Sequence, residues 1–537
     1  MKIKMNSIVS GLFLSGMLLG TASCSDSFLQ VDNPNEVSSS TFWKTEDDAL
    51  MALAACYDAF QDGNLYNDNI DGWKFGFMAR ETSTDNGDHS WGDWMLGSSI
   101  SKGTSATTDE CFSMYWNANY ELIKRCNMVI SNVDNMPIDE GKKTAFKAEA
   151  IALRALGYCN LTSTFRDVPY LDKPLTLTEP EAAKTPKQEI VTKILADLET
   201  NLPNLPTRAN AGKGRMSQEA GYAIMGRLAL YDQRWKDAVK AYENVIGKAT
   251  LFTVGDGSNY HDNFRTLFTE KGETADEILL SVHYKGPGLG EGSSFGICWG
   301  EPMNAIEGSM NLCDDYYCID GLPIDKSPLF KGSLQKGGHT KENPDYERYE
   351  NRDPRMKATL MLPGMDWAGK KYTNNLPATS TTCILKYFIP EDKVNEYDSG
   401  MDFYIIRYAE VLLSMAEAKI ESGAPQAEVT KYINEVRARV GMPSVEQAEG
   451  TGLNQDQLRQ IVRHERRVEL AFEDLRMADL YRWGEWEEGV KRMQHDKEFY
   501  GFGCYTRTYR GPQDDVWPIP QGDIDTNSLL EQHAEWK

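Results

Sequence analysis

Apolar residues recur at helical spacing over most of this chain. Thr45-x-x-Asp48 offers a cap ahead of Ala49, Leu50, Leu53 and Ala54, which predicts a helix from near Thr45 to about Phe60. The same period returns over 110–133 and over 143–165. In the second stretch Ala148, Ile151, Ala152, Ala155 and Leu156 make a stripe of mostly small side chains. A further helix fits 186–201 and ends before Pro203. Over 217–246 the spacing is more particular. Tyr222, Met225, Gly226 and Ala229 fall as in the first helix of a tetratricopeptide repeat, and Ala238 and Tyr242 as in its second. In such a pair Gly226 and Ala238 let the helices approach and Tyr242 fills the groove. Residues 403–440 read as a degenerate second pair about the turn Ser422-Gly423-Ala424-Pro425. Helical pattern covers 403–421, 425–440 and 455–482, and the rest reads as irregular.

Two stretches break the helical period. Residues 61–110 are rich in Gly, Asn, Asp and Ser, with Trp73, Trp91 and Trp94 among them. Loops of this length inside a domain are usually functional or disordered, and large aromatics argue against disorder. In 250–400 a strand is predicted at Ile278–Tyr284, followed by Gly-rich turns and then Trp299, Tyr316 and Tyr317. The fold class is therefore mainly α. We expect a tetratricopeptide-like helical-repeat scaffold (45–250 and 400–490) carrying a long insertion of loops and short strands (250–400), all within one domain spanning 45–537.

The first residues read as a targeting segment. Lys2 and Lys4 precede the apolar run Ile8–Leu19, which is too short to span a bilayer, and Thr21-Ala22-Ser23 leads to Cys24. Residues 1–23 are expected to be a signal peptide and 24–44 a lipid anchor and tether. The Cys after small residues resembles a lipoprotein cleavage site. Thr21 stands where Leu is usual, so plain secretion stays open. Ten cysteines in 537 residues make no disulfide framework. Cys313 and Cys318 are close enough in sequence to bridge a loop, whereas Cys126 and Cys159 fall in helical patterns and read as buried thiols. The formal net charge of −23 argues against nucleic acid and against adsorption to anionic lipid.

Candidate chemistry thins out on inspection. Gly292-Ser293-Ser294-Phe295-Gly296 fits G-x-S-x-G, but glycines precede it and Gly296, Gly300 and Pro302 discourage the helix the motif needs. Asn67 to Gly72 begins like a calcium loop, yet its twelfth position is Met78 where a bidentate Glu is required. No H-E-x-x-H pair occurs, so no catalytic residue, metal or cofactor is assigned. The aromatics remain. A sugar ring has C–H faces and a hydroxyl rim, so a flat ring packs on the face while Asn, Asp and Arg satisfy the rim. Trp73, Trp91 and Trp94 lie among Arg80, Asp85, Asn86 and Asp93, and Trp299, Tyr316 and Tyr317 lie near Asn304 and Asn311. These residues are the candidate ligand contacts. Trp94, Trp91 and Trp299 come first, then Tyr316, Tyr317 and Trp73, with Asp85, Asn86 and Asn304 as polar orienters.

The most specific words stand in the last third. They are Arg407-Tyr408-Ala409-Glu410-Val411-Leu412-Leu413, then Ile433-Asn434-x-Val436-Arg437-x-Arg439, then Glu465-Arg466-x-x-Glu469-Leu470-x-Phe472-Glu473. Arg476, Asp479 and Arg482 follow at i, i+3 spacing and can pair along one helix face. Asn351-Arg352-Asp353-Pro354-Arg355 lies upstream and Trp517-Pro518-Ile519-Pro520 near the end. With Cys24 and the helix around Tyr57-Asp58, the chain resembles the SusD/RagB family of outer-membrane nutrient-binding lipoproteins. The resemblance implies four tetratricopeptide-type helix pairs and a surface-exposed lipid anchor in the outer membrane. It also implies a TonB-dependent (SusC-like) β-barrel transporter as partner, a glycan ligand, no catalysis, and a ligand face built from aromatic-bearing loops comparable to 73–94 and 299–317, which are expected to meet on one face as a shallow platform. A peptide-binding member of the family and a lipid-anchored glycoside hydrolase are the competing readings.

Overall fold

Thr45 opens the first helix of the structure. Its hydroxyl accepts from the Asp48 amide, and the Asp48 carboxylate accepts from the Thr45 amide at 2.7 Å, a reciprocal cap. Helix α1 (Glu46–Asp58) follows and buries Ala49, Leu53 and Cys56. The structure is a computed structural model that describes residues 42–67, 74–175, 181–294, 306–367, 370–372, 382–388 and 398–537. Cys24 and the segment before it lie outside the described residues. No helix among the described residues is long and apolar enough to cross a membrane.

Helices α2 (Glu110–Asn132) and α3 (Glu140–Thr164) pack on each other, with Ala148, Ala152 and Ala155 buried along α3. Next come α4 (Lys187–Asn201), which packs on α3, and the pair α5 (Gln218–Tyr231) and α6 (Trp235–Tyr242). This pair is built as its spacing predicts. Ala238 and Tyr242 are buried, and a Cβ on Gly226 would stand 2.4 Å from Cε1 of Tyr242. Only glycine allows that approach. Ala238→Leu should overpack the crossing and cost about 1–3 kcal/mol. A thermal melt checks it, and an unchanged curve would contradict the close crossing.

After the short helix α7 (Met310–Asp315), the helical scaffold resumes with α8 (Tyr408–Glu421) and α9 (Gln426–Arg439). Gly423 turns between them at φ 76°, a conformation that favours glycine. Arg227 on α5 forks onto Glu410 on α8 at 2.6 and 2.7 Å, both buried, and so ties the two helix pairs together. The chain then forms α10 (Gln455–Leu470), α11 (Arg476–Trp483) and α12 (Trp486–Tyr500). Four short strands join distant parts of the chain: β1 (Gly87–His89), β2 (Ile278–Val282), β3 (Ile306–Gly308) and β4 (Phe403–Arg407). β2 pairs antiparallel with β4, and β1 with β3.

The structure corrects several expectations. Residues 403–407 are strand, not the start of a helix. Their aromatic and β-branched side chains are buried throughout and pair with β2. The helix expected over 455–482 breaks after Leu470, where Phe472 and Asp474 both adopt φ 63°. Beyond it the chain is not irregular, because α12 buries Trp486, Val490, Met493 and Tyr500 on one face of a highly charged segment. Cys313 and Cys318 are both buried free thiols. Cys313 faces the Met356 sulfur at 3.7 Å, while Cys318 pairs by its backbone with Arg352.

The words of the last third assemble into one buried ionic network. Glu469 accepts from Arg407 at 2.6 Å, from Arg355 at 3.0 Å and from Arg439. Arg355 continues to Glu465 and Asp353, and Arg407 to Glu473 and Glu277. Of the i, i+3 trio, Asp479 does pair with Arg482, at 2.7 Å, and also with Arg466. Arg476 turns away from it and binds Asp85 instead.

Candidate functional site

β1 and β3 bring the two aromatic loops together. Gly87 faces Gly308, Asp88 faces Glu307 and His89 faces Ile306. Ser309 completes the join, its amide donating to the Asn86 carbonyl at 3.0 Å and its hydroxyl to the Asp85 carbonyl at 2.6 Å. The segments therefore meet, although more than two hundred residues of chain lie between them.

Trp94 ends a single 3-10 turn just past β1, and its side chain is 70 % exposed, the most exposed of the large hydrophobics on the described surface. Isolated exposed apolar residues are ordinary, but a tryptophan this exposed on a loop is a candidate contact. Trp91 is half-buried and packs on the core. Gly92 at φ 61° turns the chain between them. Around this turn Lys102 reaches Asp93 at 2.7 Å and sits over the Tyr505 ring. Tyr505 in turn stands edge-on to His89, whose burial lowers its pKa to about 4, so the ring is neutral at ordinary pH.

The predicted polar orienters lie inside. Asp85 is buried and receives Arg476 at 2.8 Å and Arg492 at 2.6 Å, with Arg467 at 3.4 Å. Burial by itself would raise its pKa, but the three guanidiniums prevail and hold it well below the usual carboxylate range. Asn86 is buried between Glu81 and Arg467. Both residues fix the loop from within instead of facing a ligand. Tyr316 is also fully buried and presents no ring face to solvent. Tyr317 is half-buried and stacks on His464 at 3.8 Å and 17°. Trp73, Trp299 and Asn304 lie outside the described residues.

Sequence reasoning missed the groups that fix this surface. Arg507 is buried and donates to the carbonyls of Thr82, Ser83, Thr84 and Gly87 at 2.8–2.9 Å. Arg80 does the same for Asn64, Leu65 and Phe75 while pairing with Asp474. A lone Arg in an irregular tail carries no local sign that it clamps a loop 420 residues upstream. Among the described residues no cluster of three His, Cys, Asp or Glu side chains could hold a metal ion.

Fold and surface together define a helical-repeat scaffold whose inserted loops, pinned by buried arginines, expose an aromatic ring. Comparison with known proteins gives the family. The SusD family model matches residues 254–536, and a model described as "Starch-binding associating with outer membrane" matches 28–230. The chain belongs to the SusD family. It is 26% identical over 532 residues to SusD-like protein P2 of Formosa agariphila, covering 96% of this chain and 97% of that one. A SusD-like carbohydrate-binding protein from Bacteroides fragilis superposes with a TM-score of 0.77 at 25% identity, covering 91% of this chain and all of the other. A laminarin-binding SusD-like protein shares the fold, with a TM-score of 0.69 at 22% identity over 92% of this chain and all of that one.

Proposed function

We propose that this protein captures a glycan at the outer-membrane surface and delivers it to a TonB-dependent β-barrel transporter without altering it. The observation that carries the reading is the highly exposed Trp94, next to the β1–β3 join on a SusD-family scaffold. Trp91 and the Lys102–Asp93 pair beside it supply further apolar and polar contacts. The expected places of Trp73, Trp299 and Asn304 in the same surface rest on sequence alone. Modest affinity suits a protein that must hand its ligand on, and a millimolar constant is only about −4 kcal/mol.

A glycan-array screen of the purified protein, with laminarin as the first probe, should return at least one bound oligosaccharide. That oligosaccharide should be recovered intact after prolonged incubation. Cleaved product would favour a hydrolase, and binding of peptides alone would favour the other branch of the family. Anchoring is tested separately. Cys24→Ala should release the protein into the periplasm as a soluble form, and a variant that stays membrane-bound and surface-labelled would remove lipidation from the account.

A further inference from the structure

A second recess lies between the turn 315–326, α10 and the beginning of α12. It encloses about 650 Å3, and neither Trp91 nor Trp94 lines it. Tyr317 and His464, stacked ring on ring, form one wall. Arg463, Arg467, Arg476, Arg492 and Lys326 line it against only three carboxylates, Asp315, Glu449 and Glu485. Asp85, directly behind, is one carboxylate shared by three of those arginines. Glu449 is further offset from outside by Arg437. Arg463 pairs with Glu485 and Arg467 with Asp315, so, with Asp85 counted, five cations face four carboxylates and the recess keeps one net positive charge on a chain whose formal charge is −23. Screening at physiological salt extends only about 8 Å, so a small ligand inside responds to these local cations more than to the distant acidic surface.

Unmet hydrogen bonds point the same way. Arg463 Nε, Arg492 Nη2 and His464 Nδ1 are buried and have no partner among the described residues. Buried polar atoms are ordinarily paired, and these three orphans all belong to residues that line this one recess, where a side-chain rotation on ligand binding would bring them to an occupant. The two arginine nitrogens can only donate, so the occupant must bring acceptor oxygens. His464 Nε2 lies 2.7 Å from the Asp315 carbonyl, which can only accept, so Nε2 carries the hydrogen and Nδ1 is free to accept one. Anionic oxygens, a hydroxyl and a ring face are what an acidic sugar offers.

We propose that this recess binds an anionic sugar unit, a uronate or a sulfate ester, with its acidic group on Arg463 and Arg492, a hydroxyl on His464 and a face against Tyr317. Arginine suits such a group because its planar fork matches two oxygens at once. This inference rests on the glycan-binding reading and adds the charge class of the ligand.

Calorimetric titration with tetragalacturonate, a sulfated carrageenan tetrasaccharide and neutral laminaritetraose tests it, at low and high salt. At least one charged probe should bind, more weakly at high salt, and Arg463→Gln or Arg492→Gln should weaken it at least tenfold. Lys326 is exposed and lines the recess, so Lys326→Glu should fold normally and still weaken binding several-fold. Trp94→Ala should leave occupancy of the recess in place. Charged probes that fail to bind, or that bind all three charge variants as tightly as the parent, overturn the proposal. If only the neutral probe binds and Trp94→Ala abolishes it, the recess is refuted while the glycan-capture reading stands. If no glycan of either kind binds, both fail.

Discussion

Glu469→Gln should destabilise the fold by about 3–5 kcal/mol, because it breaks a buried ion cluster and leaves guanidiniums under-compensated. Glu469 is wholly buried and faces Arg355, Arg407 and Arg439 together. Glutamine fills the same volume but withdraws the charge. Arg439 then keeps only Glu277 among its ion-pair partners. The same cluster sets an acid limit. Burial pushes the pKa of Glu469 up, yet its three arginines override burial and hold it well below 4.5; Glu465, against Arg355 and Arg437, falls to about 2. Both are depressed in the folded state, so their contribution is complete above about pH 4.5 and is lost as pH falls through the folded values. Glu81 and Asp496 act in the opposite sense. Burial raises each to about 7, so what they contribute is present at low pH and disappears as pH climbs through 7. The first pair should therefore cost stability toward acid and the second toward neutral pH. Urea midpoints across pH 2–8 for the parent and for Glu469→Gln check this, and the variant should show the shallower loss in acid. A change under 1 kcal/mol at pH 7 would mean that the cluster contributes little.

Trp94→Ala should abolish detectable binding of a neutral glycan such as laminaritetraose and leave the melting temperature unchanged. Its ring is 70 % exposed and so adds little to the core. On a total binding energy of about −4 kcal/mol, losing one stacked ring removes the measurable signal. Trp91→Ala supplies the contrast. That indole packs on the core, so its loss should lower the melting temperature whatever it does to binding. Calorimetry and melting curves on both variants separate a platform residue from a loop anchor. Retained binding of the neutral glycan by Trp94→Ala would show that this sugar rests elsewhere.

Elements set by near neighbours along the chain are legible from the sequence alone. Thr45 and Asp48 announce their cap, and Gly226, Ala238 and Tyr242 announce their crossing. The meeting of the two loops is also expected, from the family resemblance, which implies a ligand face built from aromatic-bearing loops at these positions. What fails depends on distant partners. Asp85 beside tryptophans looks like a rim residue, and only Arg476, 391 residues later, reveals it as a buried anchor. The face Trp486, Val490, Met493 and Tyr500 stands at helical spacing but is hidden among charges. Phe403–Arg407 runs into a true helix and inherits its period, although its composition suits a strand.

The most direct test is a crystal structure of the protein with its cognate oligosaccharide. The account predicts a sugar ring lying face-on against the Trp94 indole, next to the join of residues 87–89 with 306–308. A crystal saturated with oligosaccharide in which no sugar covers Trp94 would contradict it, whether or not the recess beside Tyr317 is filled.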